Sequence, residues 1–565
     1  MKSDLDIARL AKLQPIGEIA ASYGIEEQEL EPFGRYKAKI KLDVIKRLAN
    51  RRPGKYILVT AVTPTPFGEG KTLSTIGLSL GLNTLGKKTL CTLRQPSMGP
   101  VFGLKGGAAG GGFSQVVPME DFNLHLTGDF HAVAAANNLL AAHADTSILL
   151  RNPHGIDPFT IKVRRVVDIN DRALRRVMTG CGGRKNGIPR ETGFDIVAAS
   201  EVMAILGLST GYADMRRRLG RMVVGLNRSS GKWIDAEKLG TAGAMAVILK
   251  QALMPSLMQT LEGTGALVHT GPFANIAHGN SSIIADEIAL RLCDYVVTEA
   301  GFGADMGAEK FFNIKCRVSG RAPDVAVVVA TVRALKVHGG DIEVKAGVSL
   351  DQSLMREDLD LLRKGLPNLA KMIEIVHRHG VPVVVAVNRF PTDSDREVEF
   401  VREAALELGA DEAAISDVHA RGGEGGVPYA EAVLRALEKP SAFRHLYPLE
   451  MPLEKKIEVL ATEIYGAERV KFYDEVLRKM DRFMERGYGN MPICMAKTQY
   501  SLSHDPALKN RPEGYLFTIK DMSAAVGSGF IVPMAGDIMS MPGLTAQPAL
   551  LQMDLSRDGE VVGLF

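Results

Sequence analysis

The chain has 565 residues, room for several domains at roughly 150 residues each. Its 68 Lys+Arg against 65 Asp+Glu leave a net charge of +3, too balanced for a dedicated nucleic-acid binder or a polybasic membrane protein. At 46% hydrophobic and 24% charged residues the composition is that of a soluble globular protein, and no apolar run nears the ~20 residues that cross a bilayer. The opening Met1-Lys2-Ser3-Asp4-Leu5-Asp6 is acidic where a signal peptide is basic and then apolar, so a cytoplasmic protein is expected. The five cysteines are scattered and form no Cys-x-x-Cys, which argues against a structural zinc site or a disulfide framework.

In chain order, about the first 50 residues read as mostly helical, with Ile7, Leu10 and Leu13 at helical spacing and interruptions at Pro15 and Gly17. An apolar β-rich run at 56–62 leads into a Pro/Gly-rich turn, and a helix follows over 71–85, closed by Gly86. That is a strand, loop and helix in the order that a βαβ unit requires, and a further strand is expected at 89–93. Later runs at 295–298, 325–330 and 381–387 are apolar throughout, as parallel strands covered on both faces are. A helix is expected over 368–379, just after Pro367. Residues 159–253 are arginine-rich and lack buried-strand runs until 222–226, which suggests an inserted domain. The arginine patches are read as solvated faces or as attractors of an anionic substrate tail. After Pro448 and Pro452 a third unit opens with helical patterns at 453–465 and 470–486 and ends in short strands around Pro-Gly turns.

The sharpest motif is Thr65-Pro66-Phe67-Gly68-Glu69-Gly70-Lys71-Thr72, a G-x-x-x-x-G-K-[ST] phosphate loop with Thr65 in place of the first glycine. Its glycines let backbone N–H groups wrap a phosphate, Lys71 reaches the β and γ oxygens, and Thr72 is placed to ligate Mg²⁺. The strand before it and the helix after it supply the required context. The expected fold is therefore α/β: a P-loop NTPase-like, mostly parallel sheet with an inserted α/β domain and a smaller C-terminal α+β domain. The boundaries read as 1–155 and 261–451 for the two parts of the nucleotide-binding domain, 156–260 for the insertion and 452–565 for the C-terminal unit.

Three further strand ends carry candidate chemistry. Arg94 and Gln95 follow the strand at 89–93 and precede a glycine tract, Gly103 to Gly112, too glycine-rich for a stable helix or strand. That tract reads as a flexible loop or as backbone that approaches an anionic substrate, with Arg94 neutralising charge on a transferring phosphoryl group. Glu299 and Asp305 flank Gly301-Phe302-Gly303 and are candidates for a place near magnesium or for helix caps. Phe390, in Asn388-Arg389-Phe390-Pro391-Thr392-Asp393, is a stacking wall for a flat ligand or a core residue. The histidines show no metal-binding spacing; His125, Thr127 and Asp129 form a polar group kept as weak site candidates.

With these residues in view, the chain resembles the formate–tetrahydrofolate ligases over nearly its whole length. The likeness rests on 63–72, 96–112, Pro118-Met119-Glu120-Asp121, 189–195, 271–279, 298–312, 388–393, 495–503 and Met541-Pro542-Gly543-Leu544. The resemblance implies that formate and ATP give formyl phosphate, whose formyl group passes to N10 of tetrahydrofolate with release of ADP and phosphate. It implies Lys71, Arg94 and Gln95 as catalytic positions, a nucleotide loop from Thr65 to Thr72, and Phe302, Phe390 and His419 as ligand-binding positions. It also implies Mg²⁺, activation by K⁺ or NH₄⁺, and a homotetramer. Two positions depart from the family pattern. Gln95 stands where glutamate is usual, and an amide cannot serve as a base. His419 stands where a tryptophan usually faces Phe390 across the pterin, and imidazole stacks with less area than indole. Both bear on the folate half, which leaves two alternatives: a divergent formate-activating ligase with an altered folate site or another acceptor, or a non-catalytic nucleotide-binding homologue.

Overall fold

The apolar runs of the sequence form the middle of one large sheet. The computed structural model describes residues 3–105, 108–340, 342, 344 and 351–564. Twelve strands build the sheet: β1 (Leu30–Pro32), β2 (Ala38–Ile40), β3 (Lys55–Ala61), β4 (Thr89–Leu93), β5 (Gly110–Gly111), β6 (Ser114–Val117), β7 (Ser256–Thr260), β8 (Gly265–Val268), β9 (Tyr295–Glu299), β10 (Val325–Ala330), β11 (Val383–Asn388) and β12 (Glu412–Ser416). Their order is β1-β2-β7-β8-β4-β9-β3-β10-β11-β12, with β6 joining β5 to β7. Every pair from β8 to β12 is parallel, and the β1, β2, β7 end is antiparallel. All residues of β10 and β11 are buried, as strands covered on both faces must be. The covering layers include α1 (Lys71–Thr84), α2 (Leu359–Arg378) and α3 (Val418–Ala436).

Because the core strands are parallel, their carboxyl ends line one edge, where open α/β sheets hold ligands. Along that edge follow the phosphate loop after β3, Arg94-Gln95 after β4, Ala300-Gly301-Phe302 after β9, Thr331-Val332-Arg333 after β10, Phe390 after β11 and His419 after β12. Residues far apart in the chain thus meet at one rim.

The region expected as an insertion carries only two-stranded pairings of its own, such as Arg165–Val167 with Phe194–Ile196 and Val223–Leu226 with Trp233–Asp235. At Ser256 the chain re-enters the central sheet as β7. The C-terminal stretch combines helices Leu453–Val459 and Asp474–Glu485 with short paired strands.

Four local expectations need correction. The first 50 residues contain β1 and β2, not helices alone. Lys39 disguised β2: it is fully buried, and its Nζ donates to both Asp129 oxygens at 2.6 Å and to the Met254 carbonyl at 2.7 Å. Asp129 is therefore a structural counter-ion. Pro367 lies inside α2, which begins earlier because Asp358 caps the Leu361 N–H at 2.8 Å and a buried apolar face holds the turn that proline weakens. Val470 belongs to the strand Arg469–Phe472, so the second C-terminal helix starts only at Asp474. In the glycine tract, Gly110–Gly111 pairs as β5 against β6; Gly106 and Gly107 lie outside the described residues.

Candidate active site

The loop 65–72, the expected phosphate loop, is shaped by two left-handed glycines, Gly68 (φ 77°) and Gly70 (φ 70°), and α1 starts immediately after at Lys71. A side chain at Gly70 would come within 2.5 Å of the Asn388 amide, whose Nδ2 donates to the Glu69 carbonyl at 3.2 Å. Thr65 replaces the motif's first glycine without strain, since its backbone is not left-handed. Glu69 turns inward as a strut: its Oε1 accepts the Thr65 N–H at 2.7 Å and hydroxyl at 2.9 Å, and its Oε2 accepts the Thr331 hydroxyl at 2.6 Å. At the loop's base, His338 Nε2 lies 2.9 Å from the Thr63 carbonyl while Nδ1 accepts the Asn510 N–H at 3.1 Å. That pattern makes it a neutral histidine, in line with the downward pKa shift that burial imposes. A cavity of about 940 Å³ opens beside the loop, between Pro64, Thr65 and Pro66 on one side and Tyr500 and Lys509 on the other.

Next to the loop, Glu299 ends β9, in register with Val59 of β3. Its Oε2 accepts the Thr72 hydroxyl at 2.8 Å, and its Oε1 faces Arg94 Nε at 3.3 Å and the Arg94 backbone N–H at 3.4 Å. Of the two acids left open by the sequence, Glu299 is thus the one at the loop. Asp305 is committed elsewhere, 2.7 Å from Lys497 Nζ with neither side chain exposed. Arg94 lies across Gly301, where a Cβ would stand 2.9 Å from Nη1. Phe302 follows with φ 60°, and Thr270, which accepts the Gln95 N–H at 2.7 Å, has φ 54°. Left-handed non-glycine residues of this kind cost energy and cluster at functional sites. Gln95 is buried, and its Oε1 lacks a partner among the described residues.

These residues suit a magnesium–nucleotide. A glycine-shaped loop at a helix N-terminus takes phosphates, and the Thr72 hydroxyl beside a carboxylate offers hard oxygen donors. Among the described residues no group of three or more His, Cys, Asp or Glu is arranged to hold a metal ion. A cation carried largely by the nucleotide's phosphates needs no such cage.

Phe390 and His419 both lie at this rim but in different surroundings. The Arg333 guanidinium stands 3.9 Å from the Phe390 ring centroid and 5.6 Å from that of Phe67 in the phosphate loop. Its Nε is buried without a hydrogen-bond partner among the described residues. His419 packs on Gly111 and Gly112; its carbonyl accepts the Phe113 N–H at 2.9 Å, and its ring nitrogen is 3.9 Å from Asp4. Sequence reasoning missed Arg333 and the role of Asn388. Their one available signal was position, directly at or after the end of an apolar strand.

The family model described as formate–tetrahydrofolate ligase matches residues 2–565. Formate–tetrahydrofolate ligase of Desulforamulus reducens is 56% identical over 563 residues, covering 100% of this chain and 99% of the relative. The ligases of Roseiflexus sp. (strain RS-1) and Roseiflexus castenholzii are 56% and 55% identical, each over the full length of both chains. Full-length agreement at this level, on a chain whose strand ends gather the motif residues at one rim, places the protein in the formate–tetrahydrofolate ligase family.

Proposed function

We propose that this protein is an ATP-dependent ligase that joins formate to tetrahydrofolate, giving 10-formyltetrahydrofolate, ADP and phosphate. The observation that carries the reading is the Thr72–Glu299–Arg94 chain of contacts, which sets an anion-binding arginine beside a phosphate loop in a member of this family. A formate oxygen attacks the γ-phosphorus of ATP, ADP leaves, and formyl phosphate forms. The folate N10 lone pair then attacks the formyl carbon, phosphate departs, and N10 loses its proton. Lys71 and the loop backbone neutralise the β and γ oxygens, and Arg94 binds formate and then formyl phosphate. Mg²⁺, held through Thr72, would supply charge neutralisation at the phosphates. Gln95 orients the acceptor by hydrogen bonding and takes no proton. Phe302, Phe390 and His419 bound the pterin. The arrangement is read as a P-loop NTPase-like domain with an insertion and a C-terminal unit, working as a K⁺- or NH₄⁺-activated homotetramer.

The test is 10-formyltetrahydrofolate formation from formate, MgATP and tetrahydrofolate in K⁺ buffer, alongside ADP release. Product is expected only with all three substrates, and Lys71→Ala should lower kcat/KM by about a thousandfold. Undiminished turnover in that variant would refute the phosphate-loop role. A second reading, formate activation for another acceptor, is favoured by the Arg333 guanidinium lying against Phe390 and by His419 packing on Gly112. It would be supported by formate-dependent ADP release that tetrahydrofolate fails to stimulate.

A further inference from the structure

Glu299 touches both halves of the proposed site. One carboxylate oxygen holds the Thr72 hydroxyl at 2.8 Å; the other faces Arg94 Nε at 3.3 Å and backbone N–H at 3.4 Å. Its side chain is 4% exposed, so solvent screens its charge poorly. The grip on Arg94 is long and uses Nε alone, not the two-pronged fork that guanidinium makes with a tightly bound carboxylate. Nη1 makes one further long contact, to the Pro272 carbonyl at 3.4 Å. Arg94 is therefore positioned by Glu299 while its terminal nitrogens keep capacity for an anion.

The same carboxylate opposes that anion. Formate arriving at Arg94 meets a negative charge already in place, and like charges in a weakly screened pocket repel. A threonine hydroxyl that gives a lone pair to a divalent cation becomes a stronger proton donor to its own acceptor. Tightening the Thr72–Glu299 bond draws the carboxylate's charge toward the metal side and loosens its hold on Arg94. We propose that Glu299 is a positioning residue that couples the two half-sites, restraining Arg94 in the free enzyme and releasing it to bind formate once the magnesium–nucleotide engages Thr72. The inference rests on the ligase reading and adds to it an order of events: formate binding is strengthened by the metal-loaded nucleotide through one side chain.

The experiment is formate binding by equilibrium dialysis with radiolabelled formate, on the full chain. It compares the protein alone, with β,γ-methylene-ATP and EDTA, and with β,γ-methylene-ATP and Mg²⁺. In the unmodified protein the magnesium–analogue complex should tighten formate binding about 3- to 10-fold, the effect of one charge a few ångströms away at an intermediate dielectric. Glu299→Gln should bind formate tighter than the unmodified protein without any nucleotide, and gain less than twofold from the complex. If Glu299→Gln keeps the full gain, the metal acts only by neutralising the triphosphate and the coupling role is overturned; absence of any gain in the unmodified protein overturns it too. A second measurement needs no variant. By reciprocity, saturating formate should tighten Mn²⁺ binding to the analogue-loaded protein, read by electron paramagnetic resonance, by the factor that Mn²⁺ adds to formate binding over the analogue with EDTA. Formate bound without coupling removes this inference alone. Analogue bound with no formate in any state removes the ligase reading with it.

Discussion

Gln95 is 2% exposed, and its side-chain oxygen has no partner among the described residues. A buried polar atom left unpaired costs stability and is retained where a ligand supplies the missing bond. Gln95→Ala should therefore leave Tm unchanged or slightly raised while lowering kcat/KM for tetrahydrofolate about 10- to 100-fold. Thermal unfolding beside steady-state kinetics checks both halves; parallel losses in the two would make the residue structural. At this scale legibility followed locality. Lys71 and Thr72 stood out as candidates because loop, lysine and hydroxyl are contiguous. Glu299 could not be separated from Asp305, since what decides between them is Thr72 at one and Lys497 at the other. Arg333 offered only its position just after an apolar strand: its meaning is the Phe390 ring, contributed by a different strand end.

Helices α1 and α3 meet closely at glycines of both. A Cβ at Gly77 would stand 2.5 Å from Val418, one at Gly81 2.5 Å from the Gly426 carbonyl, and one at Gly426 2.5 Å from the Gly77 carbonyl. The contacts at Gly81 and Gly426 are backbone on backbone and cannot be relieved by a rotamer change. Alanine would gain about 1 kcal/mol of helix propensity at Gly81, yet overpacking of this kind costs about 1–3 kcal/mol or more. Gly81→Ala is expected to lower Tm and to raise KM for ATP, because α1 carries the phosphate loop at its N-terminus and cannot shift without it. A Tm at or above that of the unmodified protein would show that the helices separate freely. The elements that could be read ahead of the structure were those whose burial matches their composition. β3 from Tyr56 on, β10 and β11 are mostly apolar and enclosed, and just beyond α1 Gly86 takes the left-handed conformation that follows a helix end. β2 was invisible because its central residue is a lysine, and the start of α2 was misplaced because Asp358 outweighs Pro367.

Across the whole molecule, buried charges link distant segments. Lys39–Asp129, Lys336–Glu397 and Lys497–Asp305 are ion pairs at 2.6–2.7 Å, each almost wholly excluded from solvent. Glu309, beside the last of these, is fully buried, and its Oε2 lacks a partner among the described residues. Burial pushes its pKa up from 4.5 to about 7, with Asp305 adding to the rise while Lys310 and the Asn313 amide oppose it. A carboxyl raised in the folded state stays protonated between those values while the unfolded chain has released its proton. Its contribution to stability is therefore full below pH 4.5 and lost as pH rises to 7, by up to about 3 kcal/mol. Glu309→Gln cannot ionise; its Tm should match the unmodified protein near pH 5 and exceed it at pH 8, and an equal gap at both values would refute the assignment. The family and the mostly parallel sheet were determined by the sequence itself, because motif order and strand burial are written in contiguous residues. Only the tertiary structure decided which acid faces Thr72, what stacks on Phe390, where His419 packs and which buried charges are paired, because each is a meeting of residues from separate elements that no local pattern records.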